Sequence, residues 1–188
     1  AMIDNNVPMS STLAVYEMSV PGRPPIDQRS LDVLAPEVAE DVLTENQRYT
    51  ERDPGDYGTS PAVFKKAMEY ELAFFRAGGT LGAGVDPTGY GAALPGFGDQ
   101  RNYELLIEAG FETGEAIQVM SANGAKILGM DDSIGTIEVG KIADLAVIEA
   151  DLAADPANIK KVGTVFKNGV GFDSAKLIAS ITGYVGVR

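Results

Sequence analysis

The hydrophobic period changes once along this chain, near residue 130, and that change limits the folds open to it. Upstream the apolar residues recur at helical spacing; downstream they alternate. In residues 27–50, Leu31, Leu34, Val38, Val42 and Leu43 predict helix, divided at Pro36. Ser60 can cap a second helix with Pro61 at its first position, and Val63, Phe64, Ala67, Met68, Leu72 and Phe75 form its apolar stripe. Gly78-Gly79 stops it, and Thr80 to Val85 then reads as a short strand ending at Asp86-Pro87. A helix, a glycine stop and a short strand running into a polar loop form the αβ half of a βα repeat. Val7 to Glu17 reads as an earlier strand, followed by breakers at Pro21, Pro24 and Pro25. After a glycine-rich loop over 87–98, Asp99 or Asn102 can cap a helix that stops at Gly110. Thr113 can cap another, running through Ile127 and Leu128 to Gly129.

Beyond that point Ile134 to Val139, Ala143 to Glu149 and Val162 to Lys167 read as alternating strands. Gly140-Lys141 and Asn168-Gly169 mark turns between them. The pattern predicts a small antiparallel sheet, with a short helix and an irregular tail after Ser174. The expected division is 1–130, 131–173 and 174–188. No internal repeat or low-complexity segment interrupts it.

Composition removes several function classes. The formal charge of -12 opposes binding to nucleic acid and to anionic membrane surfaces. There is no cysteine and no histidine, so an internal metal site would have to use carboxylates and carbonyls. The charged loop Glu51-Arg52-Asp53-Pro54-Gly55-Asp56 lacks the ligand spacing of a calcium loop. The loop over 87–98 lacks the spacing of a phosphate-binding loop. No apolar run approaches the roughly 18 residues that span a bilayer. Ala1 ahead of Met2 reads as a cloning remnant, and the first residues do not read as a signal peptide; a cytoplasmic location is the default expectation.

Three stretches, in order, resemble the C-terminal half of the amidohydrolase superfamily, in particular its imidazolonepropionase-like and prolidase-like members. The first is Ala77-Gly78-Gly79-Thr80-Leu81-Gly82-Ala83-Gly84-Val85-Asp86, similar to the Gly-Thr-Asp that closes the family's eighth barrel strand, with Val85 in place of threonine. The second is Glu104 to Gly110, followed by Glu115-Ala116 and Ser121 to Gly129. The third, and most specific, is Gly135-Thr136-Ile137-Glu138-Val139-Gly140-Lys141-Ile142-Ala143-Asp144-Leu145. Val7 to Glu17 is similar to the seventh strand, so the resemblance covers nearly the whole chain.

The resemblance implies an α/β fold: a partial (β/α)8 amidohydrolase barrel, its last βα units, followed by a small antiparallel β domain. It implies that Asp86 is a catalytic residue and a metal ligand, provided other ligands are supplied, with a carboxylate moving a proton beside metal-bound water. Gln100 and Arg101, on the rim loop, become weaker candidates for contacting a substrate carboxylate, against the plainer expectation of a solvated loop and helix cap. Lys141 and Asp144 are expected to be structural. The complete family enzyme carries a divalent metal, with zinc the expected ion, and acts on a small-molecule amide or peptide-like substrate. Its His-x-His pair, lysine and two further histidines lie upstream of anything here, so no metal is expected in this chain by itself.

Two functions compete at this point. One is hydrolysis of C–N bonds in amides or cyclic amides, with the N-terminal half supplied elsewhere. The other is a non-catalytic remnant or assembly domain. A barrel segment cannot close and leaves an unpaired parallel edge. The expected partner is therefore a second copy, in a homo-oligomer, or the missing N-terminal half.

Overall fold

The computed structural model describes residues 1–51 and 60–186. Arg52, Asp53 and Asp56 of the charged loop lie outside the described residues. No helix among those described is long and apolar enough to cross a membrane.

A short parallel pair organises the first two thirds of the molecule. Strand β1 (Met9–Ser11) lies beside β2 (Leu81–Ala83), with Met9 opposite Leu81 and Ser11 opposite Ala83. Parallel neighbours need a long crossover. Here it contains α1 (Leu13–Glu17), α2 (Gln28–Val33), α3 (Pro36–Thr50) and α4 (Pro61–Arg76). Pro36 divides α2 from α3 as expected. Ser60 caps α4, its hydroxyl accepting from Val63 N at 3.3 Å. After β2 come α5 (Phe97–Ala109), α6 (Thr113–Met120) and α7 (Ala122–Ile127). Leu13, Phe64, Met68, Leu81, Tyr103 and Leu106 are buried together where these helices meet the strand pair.

Four local expectations are corrected. The strand expected over Val7 to Glu17 ends at Ser11, and Leu13–Glu17 is helical. An apolar run this short fits either state. Asn102, arriving from α5, decides it by accepting a hydrogen bond from Ala14 N at 3.1 Å. Asn102 does not cap α5, because it is buried inside that helix. Asp99 reaches back to Gly96 N at 2.8 Å instead. The helix expected from Thr113 to Leu128 is two helices, broken at Ser121, whose hydroxyl donates to Gly135 O at 2.9 Å.

The fourth correction concerns the small sheet. It has three strands in the order β3 (Leu145–Ile148), β4 (Val162–Lys167) and β5 (Val170–Asp173), all antiparallel. Ile134 to Val139 is not one of them. Lys141 instead folds that segment onto itself, with Nζ donating to Asp131 O at 2.6 Å and to Thr136 Oγ1 at 2.5 Å. The Asn168-Gly169 turn does join strands. Both residues have positive φ, 51° and 77°, as a two-residue hairpin of matching twist requires. Asp144 anchors that turn by accepting from Asn168 N at 2.7 Å and pairing with Lys167. Helix α8 (Ser174–Ile181) packs on β4 and β5. The tail then returns to α2, where Val185 N donates to Val33 O at 2.9 Å.

Candidate functional site

Asp86 follows β2 at the carboxyl end of the strand pair. It is exposed, with φ at 46°, a left-handed conformation that aspartate tolerates better than most side chains. Thr88 N donates to its carbonyl at 2.6 Å, which closes a tight turn around Pro87. Val85, in the threonine position of the resemblance, is buried against Gly98. A Cβ on Gly98 would lie 2.2 Å from Val85 Cγ2, so this close approach requires glycine.

Metal binding needs several converging ligands, typically three or four. Among the described residues, no group of three or more aspartate, glutamate, histidine or cysteine side chains converges. Asp86 therefore belongs to no such group among the described residues.

Gln100 and Arg101 lie elsewhere, beside a cavity of about 290 Å³ between α1, the turn through Pro24 and Pro25, α5 and the 3-10 helix Pro156–Lys160. Asp86 is not among the residues that line it. Arg101 lines the cavity, and each of its three guanidinium nitrogens donates to a carboxylate. Nε and Nη2 meet Glu17 at 2.7 and 2.8 Å, and Nη1 meets Glu104 at 2.7 Å. The hydrogen bond to Glu17 raises the Arg101 pKa above its ordinary range, although burial opposes it. Gln100 Oε1 accepts from Arg29 Nη2 at 3.0 Å.

The same network continues on both sides. Arg23 bridges Glu17, at 2.7 Å, and Glu108, at 2.8 and 2.6 Å. Its hydrogen bond holds the Glu108 carboxyl below the usual carboxylate range. Lys160 meets Glu104 at 2.8 Å, and Asp27 pairs with Arg29 at 2.6 Å. Burial would raise the Asp27 carboxyl, but the Arg29 hydrogen bonds hold it below its ordinary value. The sequence pointed to Arg101 and Gln100; it contained no local signal for Glu17, Arg23, Arg29 or Lys160, which converge from separate elements.

A second polar feature is buried under the strand pair. Asn102 Nδ2 donates to Ser11 Oγ at 3.3 Å, and Glu71 from α4 lies beside the same serine. Burial pushes the Glu71 carboxyl up to about 7, against a smaller opposing effect of Ser11. Glu71 Oε2 has no partner among the described residues.

Residues 92–170 match the model of the Amidohydrolase family. The chain resembles the C-terminal portion of an amidohydrolase. Solved structures agree on the fold. An uncharacterised protein superposes with a TM-score of 0.58 at 21% identity, over 92% of this chain and 36% of that one. A prolidase complexed with N-methylphosphonate-L-proline gives 0.57 at 20% identity, over 92% and 36%. A Xaa-Pro dipeptidase with methionine bound in its active site gives 0.53 at 22% identity, over 77% and 34%. This chain thus spans roughly a third of the length of each of these structures. No curated protein matches it.

Proposed function

We propose that this chain forms the last βα units of a (β/α)8 amidohydrolase barrel, together with the small β domain of residues 131–173. The complete assembly would hydrolyse C–N bonds in amides, cyclic amides or peptide-like substrates. The observation that carries the proposal is the order of parts: a parallel strand pair whose second strand runs into Asp86, followed by the amidohydrolase-matching stretch 92–170. Side chains at the carboxyl ends of barrel strands are where chemistry is built in this architecture. The left-handed turn at Asp86, which leaves its carboxylate exposed, suits a residue that waits for partners from outside these elements. In this reading Asp86 is the ancestral catalytic carboxylate. The divalent metal, zinc in expectation, takes its other ligands from a second polypeptide or from upstream sequence.

A second reading is supported by the sequence, which has no histidine: a non-catalytic remnant or assembly domain. Elemental analysis of the dialysed protein, with light scattering on the same sample, separates the two. The hydrolase reading expects a divalent metal in stoichiometric amount once the chain is assembled with an N-terminal half carrying His-x-His. It also expects Asp86→Asn to lower that metal content and abolish turnover while leaving the melting temperature of the metal-free protein unchanged. Full metal content and turnover in Asp86→Asn would overturn it.

A further inference from the structure

The loop that follows Asp86 has few backbone ties of its own. Thr88 N closes the turn at Asp86, and the next backbone bond in chain order runs from Gly98 N to Leu94 O, at 2.7 Å. Among the described residues, 89–93 make no backbone–backbone hydrogen bond. One side chain within that stretch supplies polar contacts instead. Tyr90 Oη donates to Met18 O at 2.9 Å and accepts from Asn46 Nδ2 at 2.8 Å. A phenol has a single O–H to give, and here it goes to Met18. Burial pushes the Tyr90 phenol above its ordinary value, which keeps it protonated and a donor. The ring stacks on Tyr49, with centroids 5.1 Å apart and planes 14° apart.

These contacts join three parts of the fold. Met18 ends α1, the helix that follows β1. Asn46 and Tyr49 lie on one face of α3, at i and i+3. Asp86 follows β2. One phenol thereby ties the loop after β2 to the segment after β1 and to α3. The backbone on either side of it is left-handed, with φ of 73° at Gly89 and 88° at Gly91, and it runs close to those partners. A Cβ on Gly89 would lie 3.8 Å from Met18 Cε, and one on Gly91 3.5 Å from Val42 Cγ2 of α3. The Asp86 turn is held between two fixed points, β2 before it and Tyr90 after it.

We propose that Tyr90 is the positioning residue of the Asp86 turn: seated between Asn46, Tyr49 and the Met18 carbonyl, it holds the Asp86 carboxylate in place at the carboxyl end of the strand pair. The role rests on the reading of Asp86 as the catalytic carboxylate, and Tyr90 fills it without touching a substrate. Reacting groups tolerate little drift. A misplacement of about 1 Å can cost on the order of a hundredfold in rate. A loop with no backbone ladder of its own needs a side-chain anchor to meet that demand, and Tyr90 is the residue of 89–93 whose side chain is hydrogen-bonded to other elements.

The test is backbone NMR relaxation on the full chain. Order parameters at Gly89 and Gly91 are expected near about 0.85 in the unmodified protein and below about 0.6 in Tyr90→Ala. Tyr90→Phe, which keeps the ring on Tyr49 and removes both hydrogen bonds, is expected to fall between them. Leu105 and Leu106, in the core, are expected to stay rigid in every variant. Asn46→Ala removes one of the two hydrogen bonds from the other side and is expected to loosen the same glycines, so the proposal stays testable if Tyr90→Ala does not fold. In the enzyme assembled with an N-terminal half, Tyr90→Ala is expected to lower kcat about tenfold with KM within about twofold, because chemistry rather than binding depends on where Asp86 sits. Glycines already mobile in the unmodified chain, a loop as rigid in the folded variants as in wild type, or equal loosening of Leu105 and Leu106 overturns the proposal. So does a loosened loop with unchanged kcat. Turnover retained in Asp86→Asn refutes the reading of Asp86 instead, and the order parameters then decide by themselves whether Tyr90 holds the turn.

Discussion

Glu71 shows how one residue can set the response of the whole fold to pH. It sits on the buried face of α4, 8% exposed, beside Ser11 and with one oxygen unpartnered among the described residues. Burial lifts its carboxyl from the ordinary 4.5 to about 7. Between those values the folded chain holds a proton that the unfolded chain has released. Its contribution to stability is therefore complete below about pH 4.5, falls as pH rises, and is lost by about pH 7. The span corresponds to about 3 kcal/mol. Carboxylates such as Asp27 and Glu108, held low by arginines, act in the opposite sense at acid pH. The difference between wild type and Glu71→Gln isolates the effect. The variant should lie close to wild type near pH 5 and become progressively more stable relative to it up to pH 7.5, by denaturant melts. A constant difference across that range would rule out a buried, titrating Glu71.

At the scale of elements, α5 carries more of the architecture than its length suggests. Asn102 ties it to β1 through Ser11 and to α1 through Ala14, and Leu105 and Leu106 join the core. Arg101 and Glu104 anchor the ion network that reaches the 3-10 helix Pro156–Lys160. The start of α5 is seated by Gly98 against Val85. Alanine is ordinarily the better helix former, by about 1 kcal/mol. Here the added methyl would overlap a buried side chain, and overpacking of this kind costs about 1–3 kcal/mol. Gly98→Ala should therefore destabilise the chain in urea melts, and adding Val85→Ala should restore most of the loss. A more stable Gly98→Ala would show that α5 is free to shift away from β2.

At the scale of the whole molecule, burial is lopsided. Among the described residues the last buried apolar side chain in chain order is Ala125. Beyond it, Ile137 and Val139 are 88% and 108% exposed, and Val147, Val170, Phe172, Leu177 and Ile181 are exposed as well. Among the described residues no third strand joins the β1–β2 pair. The exposed apolar side chains of the three-stranded sheet and its helix form a surface of the kind that marks an interaction site. We expect the chain to associate with a second copy through these surfaces unless an N-terminal half covers them. Light scattering should give a mass above the 19.8 kDa of one chain. A stable, fully folded monomer at micromolar concentration would refute this.

What the sequence by itself determined is what short-range chemistry controls. Ser60-Pro61 starts α4, Gly78-Gly79 ends it, Pro36 splits α2 from α3, and Asn168-Gly169 turns the hairpin, because each acts on backbone within a few residues. The family resemblance was also legible, since its motifs are contiguous. Tertiary structure alone decided whether Leu13–Glu17 became strand or helix, because the hydrogen bond that settles it spans 88 positions to Asn102. It alone placed Arg101 at the centre of an ion network, through Glu17, 84 positions away. It also brought Arg29 beside Lys160 and left Ile134 to Val139 without a strand partner. Periodicity reports which side chains will be buried; which polar group meets which depends on how the helices cross, and no local pattern encodes that.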